Sequence, residues 1–279
     1  MKLMKGKECT NDKLFFRLLY NKSDKTYWDN ISELRSRPKM SVFEKCKDLV
    51  HSDIAKERVI GIDVLAQLGV SQRPFFNETV ELYFYILDKE RDNNVLKSLL
   101  YAIGHNNDNL NQEQIENLIA FKTSEDIAVR QGLVSSLLGL NNNLAIDTLI
   151  ELSNDKVASI RNWATFGIGS QIETDNDKIR NALLSRTSDK NQDTKLEAIV
   201  GLANRNDIKV KEIIKQELIN GEFGTLLFEA IELLDLVELI PLLKDNLNSG
   251  KNDSKVNPEW LEDLVILIDK LENKEKTTA

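Results

Sequence analysis

The feature that most constrains this chain is a segment that repeats along it. An apolar helix, a polar turn and a position that is often basic are followed by a second helix that ends in a small residue. Two copies of this segment, Asp155–Gly169 and Asp189–Ala203, align without a gap. The basic-type position recurs about every 30–40 residues, at Tyr27, Arg58, Leu96, Arg130, Arg161, Lys195 and Leu227. A period of this length with two helices in each unit is typical of helical-repeat solenoids.

The second helix of each repeat has an apolar stripe and small residues that suit close packing. In one copy Ile160, Ala164 and Ile168 fall on one side of the helix. Gly167 and Gly201 are expected to let adjacent helices approach each other. We therefore predict an all-α fold, a right-handed α-solenoid (α-α superhelix) of about seven HEAT-like helix-pair repeats.

The same register predicts where the repeats lie. The helix pairs are expected at 12–37, 41–69, 75–104, 112–140, 144–172, 176–204 and 208–236, with a last pair at 239–248 and 258–273. Residues 1–279 are expected to form one array, with an N-terminal cap over about 1–40 and a C-terminal cap over about 237–273. The segment 248–255 is predicted to be a flexible loop, and 274–279 a frayed tail.

Composition limits the possible partners. The chain has 37 basic and 45 acidic side chains, which give a net charge of −8. Because nucleic-acid binding depends largely on basic side chains, we do not expect a nucleic-acid partner. No apolar run is long enough for a membrane span, and the opening residues carry charge, so we expect a cytoplasmic protein. Two cysteines and two histidines, His51 and His105, are too scattered for a metal site, and no metal or cofactor is expected.

Four segments carry a likeness to a known family: Gly61–Gly69, Arg73–Phe75, Ile160–Gln171 and Glu197–Ala203. In these segments the chain resembles bacterial HEAT-repeat proteins, whose repeats are related to the HEAT-like repeats of phycobilin lyases. The resemblance covers roughly residues 20–240. It implies the α-solenoid fold and leaves the activity open.

Equivalent positions of the second helices indicate a candidate binding patch, because stacking places them along one face. Positions equivalent to Asn162 include Trp28 and Lys97, and positions equivalent to Phe166 include Asp63 and Tyr101. Phe166 points away from the apolar stripe and is expected to be partly exposed. The patch is predicted to comprise Trp163, Phe166, Asn162, Glu197, Tyr101 and Glu229.

A structural interpretation competes with this patch. Trp163 could fill the gap left by Gly167, and Glu197 could pair with Arg161 of the preceding repeat. In that case both residues would brace the stack rather than bind a partner.

We expect a non-enzymatic scaffold that binds a protein or peptide, including a basic segment, along the concave face of the repeat array. No motif of a catalytic nucleophile, a P-loop or a zinc protease is present in the sequence, and no catalytic residues are predicted. Two alternatives are a HEAT-like DNA alkylpurine glycosylase, which would need a strongly basic concave face, and a tetrapyrrole-lyase-like protein.

Overall fold

The computed structural model describes residues 9–221 and 223–278, of which Thr277 and Thr278 are described by their backbone alone. These residues form sixteen α-helices and no strand. The helices are α1 Asn11–Tyr20, α2 Asp24–Arg35, α3 Met40–Val50, α4 Ala55–Leu65, α5 Phe76–Leu87, α6 Asn93–Gly104, α7 Gln112–Ile119, α8 Ile127–Leu137, α9 Asn143–Leu152, α10 Ala158–Ser170, α11 Asp177–Arg186, α12 Gln192–Ala203, α13 Val210–Asn220, α14 Thr225–Leu233, α15 Ile240–Lys251 and α16 Pro258–Thr278. Short 3-10 turns follow α7 at Ala120–Thr123 and precede α15 at Val237–Leu239. The all-helical prediction is confirmed for the described residues.

The helices pair as the repeat register predicts, and they belong to two compact units, which we call unit 1 (α1 to α8, ending at Leu137) and unit 2 (beginning at Leu138, α9 to α16). In unit 1, the second helices of successive pairs pack side by side, α2 on α4, α4 on α6 and α6 on α8. In unit 2, α10, α12, α14 and α16 form a corresponding series. Since each helix is short, its apolar stripe is stabilised mainly by burial against these neighbours. None of the helices in the described ranges combines the length and apolar character needed to cross a bilayer.

The basic residue at the start of the second helix has a recurring structural role. The Arg58 guanidinium donates to the carbonyl of Ser52 and forms a two-point ion pair with Glu90, at 2.8 and 3.1 Å. Arg161 repeats this pattern with the carbonyl of Asp155 and the carboxylate of Asp189. Each arginine therefore fixes the turn before its own helix to a carboxylate that comes later in the chain, in a forked geometry that only arginine provides.

The small residues are used for close packing, as the sequence predicts. A Cβ on Gly61 would lie 2.7 Å from the carbonyl oxygen of Cys46 on α3. A Cβ on Gly201 would lie 2.6 Å from the Cα of Gly169, where α12 crosses α10. Because Cβ atoms do not approach backbone this closely, glycine is required at both crossings.

The helices near the C-terminus extend further than predicted. α15 continues to Lys251, into the segment predicted as a loop, since Gly250 is buried with the side chain of Leu261 against it. α16 continues through Thr278, so that the predicted tail from Lys274 onward is helical as far as the structure describes it. Packing and ion pairs such as Lys244 to Glu272, at 2.5 Å, oppose fraying here. Residues 1–8 of the predicted N-terminal cap and Ala279 of the tail lie outside the described residues.

Candidate binding surfaces

The structure distributes the six predicted patch residues over both units. Tyr101 lies on α6 of unit 1. The other five lie in unit 2 on three successive second helices, and we call them the unit 2 rim: Asn162, Trp163 and Phe166 on α10, Glu197 on α12 and Glu229 on α14. Within this rim the structure brings together two pairs, Trp163 with Phe166 and Glu197 with Glu229.

The aromatic pair of the unit 2 rim is accessible. The rings of Trp163 and Phe166 meet edge to face with centroids 5.6 Å apart. Trp163 is 46% exposed and Phe166 is half-buried, as its position opposite the stripe predicts. The side-chain oxygen of Asn162 is enclosed and has no hydrogen-bond donor among the described residues. An indole that is half exposed beside a second ring offers a contact surface that the unit itself does not cover.

The structure does not show the contacts that the structural interpretation of Trp163 and Glu197 expects. A Cβ on Gly167 would meet the side chains of Leu138 and Leu149, so these leucines, and not Trp163, occupy the space beside Gly167. Arg161 pairs with Asp189, at 2.8 Å for each of two N–H groups, and not with Glu197.

Glu197 is left in an unfavourable electrostatic environment. It is half-buried and has no hydrogen bond or ion pair with any described residue. Burial, and next the nearby charges of Glu229 and Asp193, together raise the pKa of its carboxyl group from 4.5 to about 7. Burial and the two nearby negative charges therefore disfavour the ionised form of Glu197.

A second surface lies in unit 1, where α2, α4 and α6 line a groove with a cavity volume of about 520 Å³. Its principal side chains, which define the unit 1 groove, are Trp28, Arg35, Asp63, Lys97, Tyr101 and His105. The volume is within the range of small-molecule sites, which is about 300–1,000 Å³. Tyr101 therefore lines a cavity of unit 1, whereas the other five predicted patch residues lie in unit 2.

Asp63 is the centre of a hydrogen-bond network beneath this groove. Its carboxylate is 9% exposed and accepts from the Tyr27 hydroxyl at 2.6 Å and from the Ser98 hydroxyl. Burial raises the pKa of Asp63, while the hydrogen bonds from Ser98 and Tyr27 act in the opposite direction. Burial, and next the charge of Asp63, raise the pKa of Tyr27 far above its usual range, so its hydroxyl stays protonated and donates. The network thus joins three second helices, α2, α4 and α6.

Arg35 forms a second layer of the same network. Its Nε and Nη2 donate to the backbone carbonyl of Asp63 at 3.0 and 2.7 Å, and its Nη1 donates to Oε1 of Gln67 at 2.8 Å. This bond orients the Gln67 amide so that its Nε2 faces Nδ1 of His105, 3.2 Å away. His105 therefore has a hydrogen-bond partner in this network. Burial lowers its pKa, and so do the charges of Arg35 and Arg73.

The sequence reasoning did not select Arg35 or Asp63 as functional residues. A usable signal was present for Asp63, because it is the one charged residue in the apolar run from Ile60 to Leu65, all of which is buried. It also falls at the position equivalent to Phe166, on the face that the register assigned to binding. No group of three or more potential metal ligands occurs in the part of the chain that the structure describes.

Comparison with known proteins gives a relationship but no function. No protein-family model matches the chain. Protein YibA of Escherichia coli, in strains K12 and O157:H7, is 32% identical over 115 residues, which span 41% of this chain and 41% of YibA. The matched part therefore covers less than half of the relative.

Solved structures extend the likeness to nearly the whole length. The X-ray structure of E. coli YibA matches 98% of this chain and 99% of its own, with a TM-score of 0.71 and 22% identity. Human deoxyhypusine hydroxylase in complex with glycerol reaches a TM-score of only 0.35 at 13% identity, which is too low to support an argument. The chain is thus homologous to E. coli YibA and shares its helical fold.

Proposed function

We propose that the helix pairs are HEAT-like repeats of an α-solenoid, and that this solenoid is a non-enzymatic scaffold which binds a protein or peptide with exposed Lys or Arg residues. Two observations support the repeat assignment. Within each unit the second helices pack in series, and Arg58 and Arg161 make corresponding bonds in different repeats. A repeated contact at a fixed place in the repeat is the signature of a stacked array.

The observation that carries the binding proposal is the unpaired acidic pair of the unit 2 rim. The charge of Glu229 contributes to the raised pKa of Glu197, yet neither carboxylate has a cationic partner among the described residues. A Lys or Arg side chain placed between them would remove this repulsion and supply hydrogen-bond donors.

The aromatic pair completes the chemistry of such a site. The exposed face of Trp163 can hold the aliphatic stem or the charged head of a Lys or Arg side chain, and contacts between a cation and an aromatic ring contribute about 0.5–2 kcal/mol. The two charged groups of the unit 2 rim, the carboxylates of Glu197 and Glu229, are acceptors, which suits a ligand rich in N–H donors.

The proposal is tested with short fluorescent peptides of equal length, one rich in Arg and Lys and one rich in Asp and Glu. We expect saturable binding of the basic peptide alone. Trp163→Ala and Glu197→Gln should each weaken it by roughly tenfold, the loss of one charged or aromatic anchor.

Trp28→Ala is the matched control, since Trp28 is 50% exposed and lies in unit 1. It should leave the affinity for the basic peptide unchanged. Equal binding of both peptides, or equal losses in Trp163→Ala and Trp28→Ala with circular dichroism unchanged, would refute the role of the rim.

A further inference from the structure

The unit 1 groove contains a cation whose charge no carboxylate balances by direct contact. Arg35 is half-buried, and its three hydrogen bonds all go to neutral oxygens, the carbonyl of Asp63 and the amide of Gln67. A guanidinium has five N–H groups. Two of them are therefore without an acceptor among the described residues.

The burial of Arg35 affects the pKa of its guanidinium group. It lowers the pKa of Arg35, although Asp63, Tyr83 and Tyr27 act in the opposite direction. A guanidinium that is removed from water without a carboxylate in contact is costly unless another anion approaches it. Arg35 bears this cost, because only neutral oxygens accept its hydrogen bonds.

Two further polar side chains of the groove, Lys97 and His105, are also donors. Lys97 is exposed and makes no hydrogen bond or ion pair with a described residue. Because Gln67 donates to Nδ1 of His105, and the lowered pKa keeps the ring neutral, the proton of His105 resides on Nε2, which is then a donor. The one carboxylate, Asp63, already accepts from Tyr27 and Ser98. The groove therefore has a surplus of donors and of positive charge.

Trp28 gives the groove a flat apolar wall. Its indole is 50% exposed and is held in place by Tyr27, whose ring meets it edge to face at 5.2 Å. The guanidinium of Arg35 lies 5.9 Å from the centre of the indole ring. A planar ring that stacks on Trp28 would thus bring a substituent within reach of the cation.

We propose that the unit 1 groove binds a small organic anion that carries a flat ring, with the ring on Trp28 and the anionic group between Arg35 and Lys97. The shared chemistry is that of an aromatic carboxylate or an aromatic phosphate. The cavity of about 520 Å³ holds a molecule of this size. This site is independent of the unit 2 rim, and its ligand has the opposite charge.

The test is calorimetric titration of the full chain with five probes. Benzoate and phenyl phosphate carry the two different anionic groups on the same ring. Benzylamine carries a positive charge on that ring, and inorganic phosphate and acetate are anions without a ring. We expect at least one of the two aromatic anions to bind saturably, and more tightly than benzylamine or inorganic phosphate. Binding of benzylamine as tight as that of both anions, or no saturable binding of either anion, would overturn the proposal.

Variants locate the site without disturbing the network. Lys97→Met, at an exposed position, should weaken binding of the anion by roughly tenfold, while Lys45→Met, at another exposed lysine of unit 1, should not. Trp28→Ala should abolish the preference for phenyl phosphate over inorganic phosphate, or for benzoate over acetate. Unchanged anion binding in both Lys97→Met and Trp28→Ala would also overturn the proposal.

Discussion

The second helices α2, α4 and α6 of unit 1 are joined differently from α10 and α12 of unit 2. We call the interface between two neighbouring second helices a seam. In unit 1 the seams of α4 with α2 and with α6 are bridged by side chains, because the carboxylate of Asp63 accepts hydrogen bonds from Tyr27 and Ser98. In unit 2 the seam between α10 and α12 is a direct approach of backbones at Gly169 and Gly201. Both arrangements hold second helices side by side. Side chains that form a polar bridge need space between the helices, whereas glycines allow the two backbones to come into contact.

The surfaces above these seams differ accordingly. Above the polar bridge of unit 1 is a groove with an uncompensated guanidinium, that of Arg35. Beside the glycine crossing of unit 2 is a rim with uncompensated carboxylates, those of Glu197 and Glu229. A repeated backbone architecture therefore does not fix the charge of its surface. That charge depends on the few positions that differ between repeats.

The largest effect should come from removing the polar bridge. Asp63→Ala leaves the hydroxyls of Tyr27 and Ser98 without their acceptor and opens a void, so the free energy of unfolding should fall by about 3 kcal/mol. Urea denaturation measures this change. The matched control is Asp29→Ala, at an exposed position of α2, which should stay within about 0.5 kcal/mol of the wild type. A loss as small as that of the control would show that Asp63 does not join the helices.

A smaller loss is expected at the glycine crossing. Gly201→Ala forces α12 away from Gly169 and should lower the free energy of unfolding by about 2 kcal/mol, even though alanine favours the helix by about 1 kcal/mol. Gly224→Ala is the control, because a Cβ there meets only Leu196, at 3.7 Å. If Gly201→Ala is as stable as the wild type in the same denaturation experiment, the seam of unit 2 does not depend on close backbone contact.

Glu197→Gln should stabilise the protein, and only at higher pH. The folded-state pKa of Glu197 is raised from 4.5 to about 7, so the folded state binds the proton more tightly than the unfolded state. Stability should therefore fall in the wild type as the pH rises from 4.5 to about 7, and this loss should be absent in the variant.

The expected difference is measurable by urea denaturation at two pH values. The variant should gain about 1 kcal/mol at about pH 8 and nothing at about pH 4, after allowance for the partial solvent exposure of Glu197. Glu229→Gln should give a smaller gain of the same sign, since it removes only the second of the causes that raise the pKa of Glu197. An equal gain at both pH values would contradict the electrostatic cause.

The smallest effects on stability are expected from the two exposed tryptophans. Trp28→Ala and Trp163→Ala should each lower the free energy of unfolding by about 1 kcal/mol or less, because about half of each side chain is already in water. Thermal denaturation of the two variants compares them directly. A loss several times larger for Trp163 would restore it as a packing residue.

The repeat period of the sequence predicted the positions of the helix pairs well, because the repeated apolar and small residues are the ones that are buried between helices. The register that aligns Asp155–Gly169 with Asp189–Ala203 located the helix pairs, and the small residues at Gly61, Gly167 and Gly201 do lie at close contacts. It failed at α15, where Gly250 suggests a break but is buried against Leu261. Tertiary packing outweighs the local preference of glycine there.

The two candidate surfaces were only partly predictable, because the partners of individual side chains do not repeat along the chain as the helices do. The equivalence of positions selected the rim and included Asp63 and Lys97 among its columns, but it could not show that Arg161 pairs with Asp189 rather than Glu197. It also could not show that Arg35 donates to a carbonyl instead of a carboxylate. Such choices depend on side-chain reach across a turn, which the sequence register does not specify.

The central claim is that the chain has two binding surfaces with opposite charge preference. Its most direct test is to measure the affinities of the basic peptide and of the aromatic anion for both Trp163→Ala and Trp28→Ala. The account predicts a crossed result, in which Trp163→Ala loses the peptide and keeps the anion, and Trp28→Ala does the reverse. If one variant loses both ligands while the other loses neither, the two surfaces do not act as separate sites and the account is wrong.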